Sequence, residues 1–160
     1  SQHVLALRLA AGYGTDQPDP FRLGGENSDF ELLDLMGGAS NITFGKREYA
    51  LRGYAEGHSE LRGRRMQLAS AEWRFPISLV ERGYMSPPVG LMQLSGSVFT
   101  DSGMAWQDTA GDAYSSIGAE LHADINLFYG ITFKLRAGAA RGLDDIIGDN
   151  RFYLSLGASF

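Results

Sequence analysis

Apolar and polar residues alternate with period two in six segments of about ten residues, the pattern of β-strands with one face in contact with apolar surroundings. The segments are 4–13, 65–77, 90–101, 115–125, 130–140 and 151–160. In the first, Leu5, Leu7, Leu9, Ala11 and Tyr13 share one face and Ala6, Arg8, Ala10 and Gly12 the other. The fourth sets Ile117, Ala119, Leu121, Ala123 and Ile125 against Ser116, Gly118, Glu120, His122 and Asp124. The fifth opposes Ile131, Phe133, Leu135 and Ala137 to Thr132, Lys134, Arg136 and Gly138. An all-β, antiparallel architecture follows, with a tight turn at Asn126–Gly130 joining the fourth and fifth strands.

Alternation alone does not say which face meets water, because an antiparallel sandwich and a membrane barrel share the same period. The composition of the polar face decides. It is built largely from Gly, Ser, Thr, Gln and Tyr with a few charges of opposite sign, as a packed polar lumen would be, and aromatic residues stand near the strand ends (Tyr13, Trp73, Phe75, Tyr129, Phe160). The reading that results is a transmembrane antiparallel β-barrel, or the C-terminal strands of one.

The segment 14–64 between the first two strands is far longer than a hairpin connection. Ser28 or Asp29 is placed to cap a short helix over Phe30–Met36 ended by Gly37, and Ile42–Phe44 reads as one arm of a small hairpin. Late in this loop stands Leu51-Arg52-Gly53-Tyr54. A guanidinium stays charged, so an arginine enclosed by polar walls needs carboxylates, and its fork suits them bidentately. Glu72 and Asp101 are the inward-facing candidates, with Gly53 allowing a tight backbone turn and Gly103 relaxing a strand end. Glu120, His122, Asp124, Lys134 and Arg136 share one face of adjacent strands and read as a charge-compensating network.

Composition narrows the chemistry. The 160 residues include 21 Gly and 9 Phe but no Cys, which removes disulfides, thiolate catalysis and Cys-ligated metals. With 14 Lys and Arg against 19 Asp and Glu the net charge is −5, and nucleic acid is not an expected partner. His58-Ser59 has no dedicated acid beside it, and Asp144, Asp145, Asp149 and Asn150 lack a regular calcium-ligand spacing. No catalytic residue, metal site or cofactor is expected, so the chain reads as a non-enzyme. Ser1 reads as an internal start, as of a processed or excised chain.

Five landmarks in order, Phe21-Arg22-Leu23-Gly24-Gly25, Leu51-Arg52-Gly53-Tyr54, Glu72-Trp73-Arg74-Phe75-Pro76, Phe99-Thr100-Asp101-Ser102-Gly103 and a terminal strand closing on Phe160, resemble the C-terminal part of the outer-membrane barrel of the BamA/TamA superfamily, the bacterial surface antigen type. The resemblance implies that the six strands are the last of a sixteen-stranded barrel and that the role is insertion or translocation of proteins across the outer membrane. It implies that Arg52 braces an inward-folded loop against Asp101 and Glu72. It also implies that Tyr153, Leu156, Ala158 and Phe160 belong to a C-terminal assembly signal.

The expected location is the bacterial outer membrane. The expected partners are the lipid bilayer and lipopolysaccharide, the barrel-assembly machinery, and other copies or the missing barrel strands, since six spanning strands do not close a known barrel. Two alternatives stay open: a barrel serving only as anchor for an upstream passenger, and a soluble β-barrel binding a small apolar ligand.

Overall fold

A computed structural model describes residues 3–15, 20–25, 48–85, 88–127 and 131–159. Among these residues nine strands run in chain order: β1 (Val4–Tyr13), β2 (Phe21–Leu23), β3 (Glu48–Tyr49), β4 (Arg62–Gly63), β5 (Arg65–Met85), β6 (Pro88–Trp106), β7 (Tyr114–Leu127), β8 (Ile131–Gly142) and β9 (Asn150–Ser159). A 3-10 turn at Ser59–Leu61 precedes β4, with the His58 side chain accepting from the Glu60 amide. The expected helix over 30–36, the hairpin arm at 42–44, part of the Asn126–Gly130 turn, Tyr129 and Phe160 lie outside the described residues.

The large sheet has the order β1-β5-β6-β7-β8-β9, every neighbour antiparallel. β5 reaches Met85 instead of stopping near Ile77, and β6 spans Pro88–Trp106 instead of 90–101. Pro76 donates no ladder hydrogen bond, and the pairing shifts register between Pro76 and Ser78 and again between Leu79 and Arg82. Bulges absorb the proline without ending the strand.

The alternation separates two faces. On the outer face Leu5, Leu7, Leu9, Trp73, Val98, Ile117, Leu121, Phe152, Leu154 and Leu156 are exposed. The inner face carries Arg8, Glu72, Asp101, Glu120, Arg136 and Tyr153, and four of these, Glu72, Asp101, Glu120 and Arg136, are buried. What buries them is the long connection. β2, β3 and β4 form a second, three-stranded sheet in the order β3-β2-β4, with β2 parallel to β3.

This small sheet packs where the inner face of the large sheet turns from polar to apolar. Phe21, Leu23, Leu51, Tyr54 and Leu61 join Met66, Leu68, Ala105 and Tyr114 in one buried cluster. Gly103 supports this contact: a Cβ there would stand 3.1 Å from Leu23 Cδ1. Its bare position leaves room for the incoming leucine.

The expected barrel is not found. Among the described residues β1 and β9 each have a single neighbour, so the large sheet is open at both ends and the small one is separate from it. Period-two alternation fixes which face a side chain takes, but closure depends on tilt and stagger between strands, which alternation does not encode. The anchor barrel and the soluble ligand-binding barrel fall with it, since both need a closed wall.

Candidate functional site

Register explains how the inner-face charges meet. The Cα partners run Ser70–Asp101–Ser116 in one row, Glu72–Phe99–Gly118–Ala140–Arg151 in the next, and Arg74–Ser97–Glu120–Gly138–Tyr153 in the third. Arg52 enters over these rows at 3 % exposure. Its Nε and Nη2 donate to Asp101 Oδ2 and Oδ1, both at 2.8 Å, a bidentate fork. Its Nη1 donates to Glu120 Oε1 at 2.9 Å and to Glu72 Oε2 at 3.3 Å. The guanidinium carbon lies 3.3 Å from the centroid of the Phe99 ring, a cation–π contact in a dry site.

Glu72 and Glu120 each have a further cation or donor. Arg74 Nε donates to Glu72 Oε1 at 2.7 Å. Arg136 donates to both oxygens of Glu120, from Nη2 at 2.7 Å and from Nε at 3.0 Å. The Tyr153 hydroxyl also donates to Glu120, and His122 Nε2 stands 3.2 Å from its Oε2. Three guanidinium groups (Arg52, Arg74, Arg136) thus face three carboxylates (Glu72, Asp101, Glu120), and their charges cancel inside the cluster.

The electrostatics follow from that balance. Burial alone would push the Glu120 carboxyl up, but hydrogen bonds from His122 and Arg136, the Arg136 charge and the Tyr153 hydroxyl outweigh it and hold the group well below the usual carboxylate range. Burial likewise opposes the Arg52 charge, yet its bonds and attraction to Asp101 and Glu120 hold the proton more tightly than usual. Burial, then the bond to Glu120 and its charge, raise the Tyr153 phenol. Burial lowers Arg8, with Tyr49 and Asp101 opposing the shift.

A second set of contacts fixes the backbone of the loop. Gly53 has φ +90°, and a Cβ there would fall 2.6 Å from the Gly142 nitrogen, so the position needs glycine on both counts. The Gly53 carbonyl accepts from the Asp149 amide at 3.1 Å. Tyr54 donates its hydroxyl to the Ser115 carbonyl at 2.6 Å and meets the Tyr114 ring edge-on, and its own carbonyl accepts from the Gly25 amide.

The candidates from the sequence separate into three groups. Arg52, Gly53, Tyr54, Glu72 and Asp101 come together at the loop, with Gly103 behind them at the Leu23 contact. Glu120, His122 and Arg136 do not form a separate network but join the same cluster through Glu120. Asp124 and Lys134 are opposed in register, and among the described residues no ion pair joins them to each other or to the cluster. On β9, Tyr153 reaches Glu120, Leu156 is 65 % exposed on the outer face, and Ala158 pairs with Phe133.

Phe99 had a place in the motif but no assigned contact, and Arg74 had no assigned partner. Their signal in the sequence was shared face and position, which becomes useful only once the register is known. In the β8–β9 loop, Asp144 Oδ1 accepts from the Ile146 and Ile147 amides at 2.9 Å each, which makes it a turn cap. Among the described residues no cluster of side chains is arranged to hold a metal ion.

Compared with known proteins, the chain matches no protein-family model, no curated protein and no solved structure. The resemblance to the BamA/TamA barrels is therefore not upheld, and the motif order that suggested it does not carry a family assignment. The role in protein insertion or translocation and the outer-membrane location rested on that resemblance and on a closed wall. So did the expected lipid, lipopolysaccharide and assembly-machinery partners. A sheet open at both edges leaves backbone groups that hydrocarbon would not satisfy, at several kcal/mol each by order of magnitude.

Proposed function

We propose that this chain works without catalysis, as a structural β-module that joins a larger assembly by strand pairing at its two edges. The observation that carries the reading is the distribution of apolar exposure across the large sheet. In the central strands Trp73, Val98 and Leu121 are 47, 42 and 44 % exposed, whereas Leu9 on β1 and Phe152 on β9 are 85 and 83 % exposed. A neighbouring strand on each side accounts for the lower values, and an added strand would bring β1 and β9 to the same level. Ten-residue edges with exposed apolar residues on the outer face and, among the described residues, open ladders are templates for β-augmentation.

The strand count supports the same reading. Six antiparallel strands leave β1 and β9 running in opposite senses. Each edge can therefore take an antiparallel extended segment without breaking the alternation. The Arg52 cluster suits a holding role. Its carboxylates are saturated by guanidinium groups, so none is poised as a general base.

Amide hydrogen exchange across a concentration series tests the proposal. As the chain associates, amides of β1 and β9 should gain protection while those of β6 stay unchanged. A monomer that persists to millimolar concentration with freely exchanging edges would overturn it.

A further inference from the structure

Through Arg52 the loop docks on β5, β6 and β7 and through the Gly53 carbonyl it meets the β8–β9 turn at Asp149, while the body of β9 lies at the far edge, yet one carboxylate serves both. Glu120 Oε1 accepts from Arg52 Nη1 at 2.9 Å and from Arg136 Nη2 at 2.7 Å, and the Tyr153 hydroxyl donates to the same oxygen. Tyr153 reaches it because the residue between them in the row is Gly138. A Cβ on Gly138 would lie 2.3 Å from Tyr153 Cζ, so the ring occupies the place of the missing side chain and crosses β8 to reach β7. The Arg136 guanidinium lies 5.3 Å from the Tyr153 ring centroid and closes the arrangement from the neighbouring row.

We infer that Tyr153, laid across Gly138 onto Glu120, makes the edge strand β9 and the Arg52 loop a single cooperative unit, so that loosening either one loosens the other. The physical reason is shared charge. If Tyr153 leaves, Glu120 loses a donor while still buried, and its remaining bonds to Arg52 and Arg136 must readjust. If Arg52 leaves, Glu120 keeps a full charge with one guanidinium fewer to meet it, leaving Arg136, Tyr153 and His122. With the loop in place a missing donor leaves Glu120 underserved in a dry site, and with the loop lifted water reaches the carboxylate and weakens the bond from Tyr153, so the state with both partners in place is favoured over the mixed ones. The titratable and charged groups facing Glu120 are Arg52, Arg136, Tyr153 and His122, and none belongs to β1. What a strand added at β9 would transmit to the loop rests on the edge-pairing proposal, but the coupling itself does not.

Site-resolved amide exchange on the full chain, kept monomeric by dilution, tests it. The Gly25 amide, bonded to the Tyr54 carbonyl, reports on the loop; the amides of Phe152–Leu156 report on β9; those of β1 serve as reference. Tyr153→Phe keeps the ring over Gly138 and removes only the hydroxyl. It should speed exchange of β9 and of Gly25 by a similar factor, roughly tenfold for a bond to a charged group, and leave β1 unchanged. Arg52→Lys, which keeps the charge but loses the fork, should produce the reciprocal effect on β9. Acceleration of β9 without Gly25, of the loop without β9, of all strands equally, or of none would overturn the inference.

Discussion

On the inner face of the large sheet Arg52, at 3 % exposure, is held by three carboxylates, and on the outer face of the same sheet Leu9 stands 85 % exposed with no cover among the described residues. The usual assignment of greasy residues to the interior and charges to the surface is reversed. What decides the reversal is the connection between β1 and β5, from whose described residues Phe21, Leu23, Leu51, Tyr54 and Leu61 join the small core around Met66 and Leu68 while Arg52 lies on the polar rows beyond it. The comparison teaches that the two faces do different work: the inner face holds the fold together, and the outer face, uncovered among the described residues, is where the proposed association would be felt.

That division predicts unequal costs of mutation. Asp101→Ala should destabilise most, by about 3–5 kcal/mol in urea unfolding, because Arg52 would keep its charge in a buried site without its bidentate partner. The variant should also lose protection of the 50–64 segment from proteolysis. Next in size is Gly118→Ala, whose Cβ would fall 2.3 Å from Phe99 Cζ and push the ring from beneath Arg52, at about 1–3 kcal/mol. Tyr54→Phe removes the bond to the Ser115 carbonyl but keeps the ring, and should cost about 1 kcal/mol.

The smallest effect belongs to the other face. Leu7→Thr, at a position 71 % exposed, should shift unfolding of the monomer by no more than about 0.5 kcal/mol, while weakening concentration-dependent association seen by sedimentation. An equal loss of monomer stability from Leu7→Thr and Asp101→Ala would abolish the contrast between faces.

The pH dependence sharpens the same contrast. The folded-state value for Glu120 is depressed from its ordinary 4.5, so its contribution is complete above that value and is lost as the pH falls toward the folded value. Tyr153 is raised from 10.0, so its contribution is complete below that value and is lost as the pH rises past it. Thermal unfolding should therefore be level from about pH 5 to 9 as far as this cluster is concerned. Glu120→Gln should shrink the acid limb.

How much of this could be read from the sequence depends on whether a feature is local or relational. Period-two spacing was enough to place Leu5, Leu7 and Leu9 opposite Arg8, and to bring Glu72 and Asp101 onto the face that Arg52 needs. It could not bring Glu120 to Arg52, because that requires the register across β5, β6 and β7 to align Glu72 with Phe99 and Ser97 with Glu120. Phe99 beneath Arg52 and Tyr153 across Gly138 were hidden for the same reason. The run of β5 beyond 77 to Met85 was not legible because the register shifts that carry it past Pro76 depend on its neighbour β6. The barrel was inferred from the composition of the polar face and the family from the order of short motifs, and neither specifies how the outermost strands end.

The exchange of roles between the two faces also changes how variation in this chain should be read. Related sequences should be free to swap Leu, Val, Phe and Thr at the outermost apolar positions, while the charged and glycine positions of the inner rows should hardly drift. A hydropathy-weighted comparison would then score the replaceable residues as the important ones and miss the ions that define the molecule.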